Sequence, residues 1–232
     1  MSAEDLTPES LGQPAIETTD RSQFINRTYT HLLGAIFLFA ALEFWVFQTP
    51  YAEQLAIWML STSWLGVLGA FIVASWIASH VSHKVESKGA QYAALIGFVI
   101  AEAIIFIPMF YIAQAVGPEI IEYAVAITLG AFVVLTGVAM FSGRDFSFLR
   151  SFLMWGGVIA LGTIIMGVLV GFHLGTYFSM AMIGLAGASI LYDTSKILKT
   201  YPEDRYIAAA LELFASIALM LWYVLRFFLS RE

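Results

Sequence analysis

Apolar residues in this chain come in long unbroken runs, not in the narrow stripe of a surface helix or the alternation of a strand. From Arg27 onward seven such runs follow one another, at about 27–48, 55–79, 90–113, 119–141, 150–171, 176–198 and 206–229. Each is near the ~20 residues an α-helix needs to cross the hydrocarbon core of a bilayer. The ~10-residue alternating segments of a transmembrane barrel are not seen. The pattern predicts an all-α membrane protein with seven transmembrane helices. Residues 1–23 break it. They are polar, hold Pro8, Gly12 and Pro14, and set Glu4, Asp5, Glu9, Glu17 and Asp20 against Arg21. That composition predicts a disordered acidic tail on the cytoplasmic side, with residues 24–232 forming the transmembrane domain. It has no apolar core of a cleavable signal peptide.

Charge orders the runs. Arg21 and Arg27 precede the first, Lys84 and Lys88 follow the second, Arg144 and Arg150 follow the fourth, and Lys196, Lys199 and Arg205 close the sixth. Nine of the 11 basic residues therefore fall on one side. The positive-inside rule then predicts a cytoplasmic N-terminus and an outer C-terminus, which an odd helix count requires. Composition agrees: 60% of the residues are hydrophobic and 12% charged, where a soluble domain has about 25% charged. The net charge of −6 comes largely from the tail and argues against a nucleic-acid partner. There is no cysteine, which excludes disulfides, thiolate metal sites and cysteine nucleophiles. Trp45, Trp58, Trp64 and Trp222 fall near outer helix ends and Trp76 and Trp155 near inner ends, as in an aromatic belt. Gly167 with Gly171, and Gly184 with Ala188, have the four-residue spacing of small residues at helix contacts.

Acids within the runs are the candidate chemistry. A charge at full depth costs roughly 2.5–3.5 kcal/mol unless it is paired, protonated or wetted. Glu43 lies near the outer end of the first run, where hydration explains it. Glu102 lies midway through the third, with Pro108 one and a half turns on, where a kink would open space. Asp193 lies near the inner end of the sixth run, before Lys196, Lys199 and Pro202. Glu212 lies about two turns into the seventh, with Ser216 on the same face. Asp193 and Glu212 come to similar depth on consecutive helices. Facing each other, they form a carboxylate pair that titrates as a unit; otherwise Glu212 pairs with Lys196 or Arg205. The single histidines His31 and His173, and His80 with His83, lack metal-site spacing. His80 is placed to titrate near Asp193 if the second helix packs there. No H-E-x-x-H, G-x-S-x-G or phosphate-binding glycine loop is found, so no enzyme activity is expected.

Two short motifs carry a resemblance. Leu191-Tyr192-Asp193-Thr194-Ser195 and Arg144-Asp145-Phe146-Ser147-Phe148-Leu149 resemble those of the Bax inhibitor-1 family, also called the transmembrane Bax inhibitor motif family. Arg27-Thr28-Tyr29 and the stretch from Tyr206-Ile207 to Leu213-Phe214 fit as well. The resemblance implies a seven-helix bundle with the last helix central, and no enzyme activity. It implies a pH-sensitive calcium leak in which a sixth-helix acid, here Asp193, pairs with a seventh-helix aspartate. That second position is Ser216 here, and the asparagine three residues on is Leu219. Glu212, one turn earlier, is the candidate substitute, and Glu102 a further accessory. Serine at this position is shared with the YccA-like branch, whose members bind and restrain the membrane protease FtsH; the acidic tail suits such a partner. The expectation is thus an ion or proton site at Asp193, Glu212, Ser216 and Glu102, with a protease modulator as the alternative. No cofactor is expected beyond transient calcium or proton binding. The family branch points to a bacterial inner membrane.

Overall fold

The computed structural model describes residues 13–62, 64–172 and 174–231, and the side chains of all of these except 13–19, 64 and 65. In chain order the helices are α1 (Gln13–Phe47), α2 (Tyr51–Ser61), α3 (Trp64–Lys84), α4 (Lys88–Val116), α5 (Glu119–Phe141), α6 (Leu149–Val170), α7 (Thr176–Lys199) and α8 (Tyr206–Leu229), with a 3-10 turn at Glu203–Arg205. No strand occurs among the described residues. Among the described residues, six helices are long and apolar enough to cross a membrane: α1 from Asp20, α3 from Gly66, α4, α5, α6, and α8 with its preceding turn. At 24 residues, α7 has the length. Asp193, Lys196 and Lys199 dilute its apolar character.

The second expected span is corrected. In place of one helix at 55–79, the chain forms the short α2, breaks after Ser61, and then runs α3 to Lys84. Ser61 and Thr62 turn their hydroxyls back on the Trp58 carbonyl, at 2.9 and 2.8 Å. Such local bonds compete with the helical ladder. Pro108 does not break α4, which continues through it.

Position in the bundle follows from composition. A helix that is apolar on all sides must be buried or face lipid. In α8, 78% of the most apolar stretch is buried, against 11% in α3 and in α6. So α8 is the centre, and the other two present large side chains outward. It packs against α1, α3, α4, α5 and α7. Ala208, Ala209 and Ala210 have no exposed surface; small side chains let neighbouring backbones close in, which drives packing where lipid replaces water. α6 lies outermost against α7; its Ala160 reaches Met182 and Tyr223.

The small-residue spacings work differently from expectation. Gly171 has φ 81° and ends α6 in the left-handed conformation, which suits glycine. A Cβ on Gly167 would meet the Phe172 carbonyl oxygen at 3.3 Å. That pair shapes a helix end, not a helix contact. A Cβ on Gly184 would meet nothing within 4 Å, whereas one on Gly187 would touch Leu135 and Met220. Trp45, Trp58, Trp76 and Trp155 are exposed, as a belt requires. Trp222 turns inward, edge-on to Phe106 at 5.2 Å. The side chain of Trp64 lies outside the described set.

The basic regions gather at one end of the bundle. Lys88 Nζ donates to the Asp204 carbonyl. Arg205 donates to the Val85 carbonyl at 2.8 Å and Lys199 to that of Gly143 at 3.1 Å. The Phe146 N–H donates to Ser195 Oγ at 3.2 Å, so the two short sequence motifs meet. Arg21 donates to the carbonyls of Ile197 and Tyr201, both at 2.5 Å, at the C-terminal end of α7. Of the expected tail, residues 1–12 lie outside the described residues; from Gln13 the chain is helical, and this arginine ties it down. A helix leaves its last carbonyls without partners, so Arg21→Ala should cost about 1–2 kcal/mol. An unfolding midpoint equal to that of the unaltered protein would show that Arg21 adds nothing.

Candidate ion and proton site

Asp193 reaches its position on the last two turns of α7 and is 7% exposed. Ser189 lies one turn back on the same face, and Ser216 comes from α8. The Ser216 hydroxyl donates to Asp193 Oδ2 at 2.7 Å. Ser189 Oγ lies 2.8 Å from Ser216 Oγ and 3.4 Å from Oδ2. Each hydroxyl has one hydrogen, so the better geometry is a relay from Ser189 to Ser216 to Asp193.

The relay forms the floor of a cavity of about 390 Å³ among α3, α4, α6, α7 and α8. Glu102 lines its wall, with Ser75 and Trp222 beside it and Arg226 at the far end. Glu102 is 7% exposed. The structure therefore brings Glu102, Ser216 and Ser189 to one cavity, with Asp193 bonded to its floor.

Glu212 is held differently. Lys196 Nζ lies 3.1 Å from each of its carboxylate oxygens, and His83 Nε2 lies 2.8 Å from Oε1. The glutamate is part of an ion cluster, as the second sequence reading allowed, and its oxygens are turned to cations. Arg205, the other candidate partner, is committed to Val85 and Asp204. His83 was not anticipated. Its Nδ1 donates to the Ser79 carbonyl at 2.7 Å, which leaves Nε2 for Glu212 and for the Tyr201 hydroxyl at 2.9 Å. Tyr201 lies in the α7–α8 connection, and burial, followed by the charge of Glu212, pushes its phenol above the ordinary range. It stays a hydroxyl and can donate. Lys196 Nζ lies 4.7 Å from the centre of the Tyr201 ring.

The remaining histidines are accounted for. His80 stacks on Trp76 of its own helix at 5.5 Å; His83, three residues on, is the one that reaches α8. His31 bonds Tyr92 at 2.8 Å and the Arg27 carbonyl at 2.6 Å. His173 lies outside the described residues. Glu43 is not at the outer surface: it is 7% exposed, and neither carboxylate oxygen has a partner among the described residues.

A family model described as "Inhibitor of apoptosis-promoting Bax1" matches residues 21–232, almost the whole chain. The chain belongs to the Bax inhibitor-1 family. A protein of Vibrio cholerae described as an uncharacterized membrane protein is 32% identical over 111 residues, 47% of this chain and 48% of that protein. The chain thus spans about half the length of the curated relative it matches. The apolar helices fit a lipid bilayer, and this Bax inhibitor-1 family member is an integral membrane protein.

Proposed function

We propose that this protein is a seven-span leak for cations, calcium foremost, gated by protonation of Asp193. With α7 counted as a span beside the other six, the positive-inside rule favours the basic end in the cytoplasm and the C-terminal end of α8 outside, and the membrane we propose is a bacterial inner membrane. One observation carries the reading: the buried Asp193 carboxylate accepts a hydrogen bond from Ser216, which lies on the floor of a cavity that Glu102 also lines. An intramembrane acid facing a cavity is a functional site by default. Ionised, Asp193 offers a cation a hard oxygen ligand; protonated, it does not. Ser216 and Ser189 orient the carboxylate. Glu102 is the second ligand along the cavity. Glu212 sets the field from below while remaining tied to Lys196 and His83. The reading involves no covalent step and no resident cofactor.

Calcium flux into liposomes at pH 7 and pH 6 tests this. The unaltered protein should show different fluxes at the two values, and Asp193→Asn should abolish the difference. Absence of flux at either pH from folded protein would reject the leak. The alternative, an interaction protein that restrains an FtsH-type protease, would then be tested by cross-linking the acidic tail.

A further inference from the structure

A second cavity, of about 480 Å³, lies in the other half of the bundle, apart from the Asp193 cavity. α1 and α5 form its sides, α8 its floor, and Phe110 and Gln114 of α4 one end. Its volume is within the usual range for small-molecule sites. The walls are mostly apolar, with rings from Phe39, Phe44, Phe47 and Phe214. Two buried polar groups interrupt them, Glu43 on α1 and Thr128 on α5, while Gln48 and Gln114 line it with exposed side chains. Glu43 and Thr128 are 7% and 1% exposed. Both oxygens of Glu43 and the hydroxyl oxygen of Thr128 lack hydrogen-bond partners among the described residues.

Unmatched buried polar groups are costly, and a native protein keeps few of them. Here three lie on one cavity, on helices that flank α8 from different sides. They define what would complete the site. An acceptor-only head would leave the two oxygens of the Glu43 carboxylate without a donor. A single hydroxyl would leave most of the unmatched oxygens as they are. A primary ammonium brings three N–H donors, one for each unmatched oxygen, and the charge that a buried carboxylate needs. Aromatic faces add attraction for a cation. Glu43 lies four residues before the end of α1, about 6 Å along the axis, so a ligand entering from the membrane surface has one helical turn to descend.

We propose that this cavity binds a hydrophobic primary amine, its ammonium held between Glu43 and Thr128 and its apolar body lying on the phenylalanine rings against α8. The occupant is a single-chain or aromatic amine dissolved in the bilayer. Two acyl chains of a phospholipid would exceed the cavity. This site is independent of the leak at Asp193, and neither depends on the other.

Binding of radiolabelled decylamine to the full chain in phosphatidylcholine nanodiscs tests it, since choline heads carry no N–H. Partition into lipid gives a background linear in concentration, and the site a saturable component. Saturable binding is expected. Glu43→Gln should weaken it tenfold or more, the loss of a charge-assisted bond. Thr128→Val should weaken it severalfold, and serves as a second variant should Glu43→Gln fold poorly. Decyltrimethylammonium, a cation without N–H, should fail to compete. The proposal is overturned if no saturable component exists, which would leave water as the occupant. It is equally overturned if the quaternary amine competes as well as the primary one, or if both variants bind like the unaltered protein. Loss of the saturable component when phosphatidylethanolamine is added would assign the site to a lipid headgroup and overturn the amine reading.

Discussion

Replacing Glu212 with alanine should destabilise the protein by about 3 kcal/mol, as expected when one partner is removed from a buried ion pair. Two cationic partners share this carboxylate, and the glutamate side chain is 22% exposed, with Lys196 and His83 at 31% and 29%. Its loss leaves the Lys196 ammonium without its carboxylate and the His83 Nε2 with only the Tyr201 hydroxyl, at the edge of the hydrocarbon. Water at this edge relieves part of the penalty, which places the value at the low end for a removed partner. Lys196→Ala should cost less, because His83 still serves Glu212. A double-mutant cycle between positions 196 and 212 should give a coupling of roughly 1 kcal/mol or more. The measurement is chemical unfolding in micelles. A Glu212→Ala change within about 0.5 kcal/mol of the unaltered protein would mean the cluster contributes no net stability, the outcome typical of exposed pairs.

Phe106→Ala should be the largest single loss in the packed interior. Phe106 is 1% exposed and meets Phe39, Phe110 and Trp222 at ring-centre distances of 5.2, 5.5 and 5.2 Å. In a soluble core such a deletion costs about 3–5 kcal/mol, the sum of a transfer term and a cavity term. In a bilayer the transfer term largely vanishes, because lipid tails are as apolar as the interior. What remains is the void among α1, α4 and α8, and the expected cost is about 2–3 kcal/mol. Phe106→Leu should recover most of it. A Phe106→Ala protein as resistant to unfolding as the original would show that neighbouring rings collapse into the gap.

Run lengths in the sequence were enough for the all-α membrane fold, because an apolar stretch of about 20 residues has few other uses. They missed the break between α2 and α3. Hydropathy stays high through Trp58 and Leu60, and the only signal is the short hydroxyl run from Ser61. They also misread Gly167 and Gly171, since the same spacing serves a helix contact and a helix end. Within the site, Asp193 stood out because its cost at depth is local to one residue. That Ser216 bonds Asp193, and that Glu102 shares a cavity with it, depends on how far each helix is rotated. A run that is apolar on every side does not encode that angle. The link from His83 to Glu212 spans 129 residues and has no local signature. A histidine just after the second run, a lysine closing the sixth and a tyrosine in the connection that follows were its trace in the sequence.

The central place of α8 has a consequence for biosynthesis. It follows α1 to α7 in chain order, yet all of its principal packing partners precede it. At roughly 5–20 residues per second, the ribosome completes α1 on the order of ten seconds or more before α8 emerges. During that interval the earlier helices stand in the lipid without the element that fills their middle. Pairs such as α1 with α4, α3 with α4 and α5 with α7 can pack as they are inserted. But the middle of the bundle fills only when α8 arrives, and until then the acids of α1, α4 and α7 must be shielded by lipid, water or an insertion factor.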